Sequence, residues 1–324
     1  MYAEVRFSYE TNSYVIMNKR ILVAVIGAVV SLGSWGETFE LFSFGNFDQW
    51  LTRNIKESKL LGGHTKQLYA IAPTGTDNSG KAYTNRGGSP WATSNVLAKP
   101  AGVTKASNAV YPEARGKGKC AKLVCQYEHC KAIGMINVDV VVGGSIFLGK
   151  MTEPITSTKN PYSKMEMGIP FTRRPKALRF DYKVSIPAGN TRVYSSGFGK
   201  KKTIAGSDKA VAIVLLQHRW EDSKGNLYAN RVGTGYEAFG HSESWTNKHE
   251  VHIAYGKSTY GLIPSNRSYY AKNSKGKMVP VKEAGWDPNA KPTHIIVMFS
   301  ASSGEAYVGS IGLTFWVDNV GLVY

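Results

Sequence analysis

The segment KALRFDYKVSI (176–186) limits the fold more than any other stretch. Leu178, Phe180, Tyr182, Val184 and Ile186 alternate with Arg179, Asp181, Lys183 and Ser185. A period of two puts the apolar set on one face of an extended strand and the polar set on the other, which predicts a half-buried β-strand. HEVHIAY (249–255) repeats the pattern with Val251, Ile253 and Tyr255. KAVAIVLLQHRW (209–220), THIIVMFSAS (293–302) and GLTFWVDNVGLVY (312–324) are more continuously apolar and predict strands buried on both faces. Turn signals separate them. DSKGN (222–226) predicts a hairpin loop, NSKG (273–276) a similar one, and the polar, glycine-rich stretch 75–90 a surface loop. No long amphipathic helix and no internal repeat follow residue 37. The chain therefore reads as all-β, a two-sheet antiparallel β-sandwich over residues 37–324 as a single domain.

Residues 1–36 read as a leader, with a secretory signal peptide over 17–36. Lys19 and Arg20 precede an apolar run from Ile21 to Leu32, and Ser34 and Gly36 supply the small residues of a cleavage site. The run falls short of the roughly 20 residues that span a bilayer, so no membrane span is expected in the mature form. An uncleaved N-terminal anchor is the alternative. Met17 is itself a plausible start. This leader predicts a periplasmic, cell-surface or secreted protein.

Cys120, Cys125 and Cys130 have a C-x4-C-x4-C spacing that matches no zinc pattern. On one continuous strand, Cys120 and Cys130 would lie about 33 Å apart, beyond the reach of a disulfide. Buried, reduced thiols are expected. The net charge is +17, but the basic residues are dispersed, with Lys200–Lys202 the densest run. No nucleic-acid-binding motif accompanies them, so nucleic acid is not an expected partner. The bland reading is a solvated basic surface. The same surface would suit an acidic or sulfated glycan.

Several segments, in order, resemble the "putative carbohydrate metabolism domain" (PCMD) family of Bacteroidetes. They are NFDQW (46–50), SPWATSN (89–95), GGSIFLGKM (143–151), FTRRPKALRFDYKV (171–184) and the ending FSASSGEAYVGSIGLTFWVDNVGLVY (299–324). Ile311 and Gly312 loosen the spacing of the ending relative to the family's pattern. The resemblance implies a galactose-binding-like jelly roll similar to carbohydrate-binding modules, an exported location and a role in glycan use. It supplies no catalytic mechanism.

Saccharides are held by flat aromatic faces against C–H surfaces, with a few directional polar groups. Trp91, in a polar loop, Trp286, in AGWDPNA, and Trp245, after SES, are the candidate carbohydrate-binding residues. Asn95 joins them as an amide that donates and accepts. Asn85 and Arg86 are weaker candidates from the same loop. The competing reading places each tryptophan at an end of the core and makes Asn95 a turn residue. Trp50, Trp220 and Trp316 lie in apolar strand patterns and are read as core or strand-face packing. Asp48 and Asp318, near the two ends of the domain, are candidate ligands for a structural calcium, which needs six to eight oxygens. No other cofactor is expected.

A glycosidase needs two carboxyl groups about 5–9.5 Å apart. Glu237, Glu243 and Glu250, beside His241, His249 and His252, are the densest cluster, yet HSESWTNKHEVH lacks the H-E-x-x-H zinc motif. No nucleophile elbow, P-loop or dinucleotide fingerprint occurs. The chain is thus expected to be an exported protein that binds an oligo- or polysaccharide. A glycoside hydrolase on the same fold is the runner-up, and a structural or adhesive envelope protein is the third reading.

Overall fold

A computed structural model describes residues 36–324 apart from 84, 86, 87, 133–135, 158, 198, 199, 265–268 and 304. The proposed signal peptide and Arg86 lie outside these residues. Phe39–Tyr324 forms one compact unit, and the architecture is that of this unit. It is all-β, with two large, mainly antiparallel sheets packed face to face, as the alternating segments predict.

The seven-stranded sheet runs Ile136–Gly143, Gly118–Ala132, Thr314–Val323, Ala177–Ser185, Glu243–His252. Phe39–Leu41 pairs with 314–323, and Val110–Arg115 pairs with 118–132. The ten-stranded sheet centres on His294–Ser300, Ala210–Glu221, Leu227–Phe239 and Met278–Trp286. Its pairings form a circuit, because Ser145–Met151 bonds both to Met165–Met167 and back to 294–300. One departure from the antiparallel expectation matters below. The 227–239 and 278–286 strands run parallel, so the chain crosses over between them.

The predicted alternation is realised. Leu178, Phe180, Val184, Phe315 and Val317 face Val214, Leu216, Val297 and Phe299 in the main core. Phe180 meets Phe299 across the sheets edge to face, with centroids 4.8 Å apart. The 210–221 and 294–300 strands are apolar on both sides for the expected reason. Val211, Ile213, Leu215 and Ile296 point the other way, into a second cluster with Phe147 and Met167. The strand 118–132 is continuous, the condition under which Cys120 and Cys130 lie too far apart to bridge, and Cys120 and Cys125 are buried free thiols. Burial raises both thiols to about 12, so neither is a nucleophile at neutral pH.

Two bulges meet at Asp181. Lys248 and Asn319 adopt φ of 56° and 50°, and the registers of 177–185 shift beside them. The Asp181 carboxylate accepts from Lys248 N at 2.7 Å and Asn319 Nδ2 at 2.8 Å. Burial acts to raise Asp181, but these bonds and the Arg115 guanidinium outweigh it and hold the carboxyl below its usual range.

Candidate functional site

The 210–221 strand outlasts the core it packs on. Leu216 is fully buried, but His218 and Trp220 continue its face past the end of the packing, and Trp220 is 39% exposed. Tyr228 is the cross-strand partner of Trp220. Their ring centroids lie 5.7 Å apart with planes 19° from parallel. That separation means laterally displaced rings, which together form a stepped apolar surface. The His218 ring centroid is 6.4 Å from that of Trp220. Lys282 pairs with Tyr228 on the parallel strand and carries its ammonium 5.8 Å from the Tyr228 ring centroid.

This surface is held by two interlocked turns. Asp222 accepts from Lys224 N and Asn226 N, each at 2.9 Å, and from the Tyr228 hydroxyl at 3.3 Å. Bonds from Asn226 lead in lowering its carboxyl below the usual range. Gly225, at φ 84°, gives its carbonyl to Asn273 Nδ2 at 3.0 Å. A Cβ there would lie 2.9 Å from the same Nδ2, so only glycine fits comfortably. Ser274 of the second turn bonds Glu221 through both N and Oγ, at 2.8 and 2.7 Å. The Trp220–Tyr228 pair is therefore presented on a braced sheet end. Sequence reading assigned Trp220 to packing, and its exposure corrects that.

The residues expected from sequence occupy separate settings. Trp91 is 1% exposed. Its Nε1 donates to Ser43 O at 3.1 Å, and Phe42 and Phe47 meet its ring edge to face. It plugs the core and offers no face to a sugar. Asn95, also buried, is a backbone clasp. Its Nδ2 donates to Tyr69 O and Val110 O, and its Oδ1 accepts from Ala109 N and Val110 N, all at 2.7–2.9 Å. That uses both donors and both lone pairs of the amide, so the expected sugar contact has nothing left to make it. Asn85 donates to Ser89 O at 2.7 Å, as a turn residue does. Trp245 is partly exposed on the seven-stranded sheet under the Arg115 guanidinium, 3.9 Å from its centroid. Trp286 is half-buried with Arg231 5.5 Å away. Trp50 and Trp316 are buried, as expected.

The two candidate calcium carboxylates are engaged apart. Asp48 accepts from Lys119 N and from Asn46 Nδ2. Asp318 receives the Arg115 guanidinium at 2.5 Å, so a cation of the protein already stands at this carboxylate. Burial dominates there and raises the Asp318 carboxyl to about 6. Among the described residues no group of three or more His, Cys, Asp or Glu side chains is placed to hold a metal.

The acidic cluster is partly assembled. His249 Nε2 lies 2.8 Å from Glu237 Oε2. Burial first, then the nearby Glu243 and Glu237 carboxylates, raise the Tyr182 hydroxyl, against a lowering bond from Thr246. Glu250 stands apart, on Arg179, and His241 and His252 are exposed. A groove of about 430 Å³ lies along the 76–83 loop between Leu51 and Tyr83. The space under Trp91 is only about 20 Å³, room for a water but not a sugar. Among the described residues no helix is long and apolar enough to cross a membrane.

Three solved structures match most of the chain at low identity. A putative glycoside hydrolase from Bacteroides thetaiotaomicron is 18% identical, covers 84% of this chain and 70% of its own, and has a TM-score of 0.44. Another from Bacteroides vulgatus is 13% identical, with 88% and 94% coverage and a TM-score of 0.40. A carbohydrate-binding module specific for non-crystalline cellulose is 12% identical, with 77% and 96% coverage and a TM-score of 0.27. No curated protein matches the chain. A family description, "Putative carbohydrate metabolism domain", matches residues 47–323, nearly all of the β-unit. The chain belongs to this carbohydrate-metabolism domain family.

Proposed function

We propose that the protein is an exported, non-catalytic glycan-binding module that lays a saccharide against Trp220 and Tyr228. The observation that carries the reading is the exposure of Trp220 with its ring nearly parallel to Tyr228 at a braced sheet end. Such a surface matches the apolar face of a pyranose ring, and Lys282 and His218 beside it supply directional groups. Export rests on the leader pattern in residues 17–36. Affinity electrophoresis of the mature protein through gels containing soluble polysaccharides tests the reading. Retardation by at least one glycan, lost in Trp220→Ala without product formation, supports it. Undiminished retardation of Trp220→Ala refutes it.

A second reading, glycoside hydrolysis, is favoured by one observation. Glu237 and Glu243 both act on the Tyr182 hydroxyl, and Glu237 is paired with His249. It expects new reducing ends from a glycan panel, abolished by Glu237→Gln or Glu243→Gln. Hydrolysis unaffected by both changes would remove these residues from that role.

A further inference from the structure

We infer that the saccharide held at Trp220 and Tyr228 is a polyanion, a polysaccharide carrying carboxylate or sulfate groups. The inference rests on the glycan-binding reading above. Lys224 sits in the 222–226 turn, Lys275 and Lys277 in and beside the 273–276 turn, and Lys282 across from Tyr228. The bond from Asn273 Nδ2 to Gly225 O sets the two turn tips side by side, so all four lysines share the sheet end that carries Trp220. Each is exposed.

Their pairing is the second observation. Lys272, one strand position away from the turn, is tied to Glu166 at 3.6 Å. Among the described residues none of the other four makes an ion pair. The two nearby acids are turned into the hairpins instead. Glu221 is engaged by Ser274 and Asp222 by Lys224 N, Asn226 and Tyr228. Four ammonium groups without an ion-pair partner thus share the sheet end with an apolar platform, on a chain of net charge +17. Like charges held together raise the local potential and favour an anionic chain that can reach several of them at once. A neutral glycan would use the rings and leave the lysines idle. The rings in turn distinguish a sugar polymer from a bare polyanion, because they need a flat C–H face to cover.

The test titrates the mature protein with a polygalacturonate, a sulfated galactan, an unsulfated galactan and single-stranded DNA at two salt concentrations. The variants are Trp220→Ala and the combined Lys224→Gln, Lys275→Gln, Lys277→Gln, Lys282→Gln, with thermal unfolding as a check on folding. At low salt an acidic galactan should bind about tenfold or more tighter than the neutral one, the magnitude of a few solvent-exposed charge contacts. The preference should shrink at high salt and vanish in the four-lysine variant, and Trp220→Ala should weaken every glycan. Preference for the carboxylated or the sulfated chain names the anionic group. Equal binding of acidic and neutral galactans, with Trp220→Ala inactive on both, overturns the polyanion inference and leaves the glycan-binding reading standing. Indifference of all binding to Trp220→Ala overturns that reading itself. Single-stranded DNA bound as tightly as the acidic glycans, and independently of Trp220, overturns both in favour of unspecific polyanion adhesion.

Discussion

Glu283 should be the residue whose loss most damages the sheet end that carries the platform. Its carboxylate receives Arg231 Nε at 2.7 Å and Nη2 at 2.6 Å, Gln217 Nε2 at 2.8 Å and Ile263 N at 2.7 Å. The Arg231 and Glu283 side chains are 0% and 1% exposed. The bidentate pair joins the 227–239 and 278–286 strands, which bring Tyr228 and Lys282 together. Glu283→Ala leaves a guanidinium buried without its counter-charge, a loss of about 3–5 kcal/mol. It also orphans the Gln217 amide and the Ile263 N–H, at about 1 kcal/mol or more each where water does not enter. A total of roughly 5 kcal/mol is a large share of the ~5–15 kcal/mol that holds a typical domain. With a urea slope near ~3 kcal/mol/M, the unfolding midpoint should fall by about 1.5 M. Tryptophan fluorescence is a direct readout, since Trp286 sits against Arg231. Replacing both partners, Arg231→Met with Glu283→Leu, should cost clearly less than Glu283→Ala, because no charge is then stranded. A midpoint shift below about 0.3 M for Glu283→Ala, under ~1 kcal/mol at that slope, would refute the reasoning. A double variant as unstable as the single one would do the same.

Trp220→Ala should weaken both binding and the fold, by separately measurable amounts. A whole tryptophan offers roughly 250 Å². Its 39% exposure leaves about 100 Å² of that. A sugar covering half of this gains about 1.3 kcal/mol, so Kd of the folded protein should rise about tenfold, while loss of the roughly 150 Å² that stays covered should lower the unfolding free energy by up to ~4 kcal/mol. Asn95→Ala should destabilise by ~2–4 kcal/mol in urea titrations, because Ala109 N, Val110 N and Val110 O each lose the Asn95 bond and Tyr69 O loses it but keeps Thr93 Oγ1, and should leave glycan affinity of the folded fraction unchanged. His294 is held to about 4 by burial, reinforced by Arg219, against an ordinary value of 6.5. Between those values the unfolded chain binds the extra proton, so stability should fall as pH is lowered from about 6.5 to 4. His294→Gln should flatten that part of the pH–stability profile, and an unchanged profile would show that another group governs it.

The strands were legible because burial on one face leaves a period of two in the residues. Leu178 to Val184 follow that rule, and Ile213 and Leu216 show the both-faces version. The turns at Asp222 and Asn273 were legible because side-chain oxygens that bond the backbone two to four residues on write a local signature. The site was less legible. The strand 209–220 reads as apolar to its end, but nothing local states where the opposing sheet stops covering it. The one available signal was the polar company of Trp220, between Arg219 and Glu221 and just before the turn. Trp91 and Asn95 misled for the converse reason. Their neighbours are polar, as in a surface loop, but Ser43 and Phe47 on one side and Tyr69 and Val110 on another close over them. Those contacts are far apart in the chain. Asp48 and Asp318 sit in terminal segments as expected, and it was Arg115, from a third strand, that took the Asp318 carboxylate.

The most direct measurement is a crystal structure of the β-unit, residues 37–324, with an oligosaccharide selected by the electrophoresis panel. The prediction is a pyranose ring in van der Waals contact with the Trp220 indole and extending over Tyr228. A sugar bound elsewhere, with the Trp220 face left bare, would contradict it.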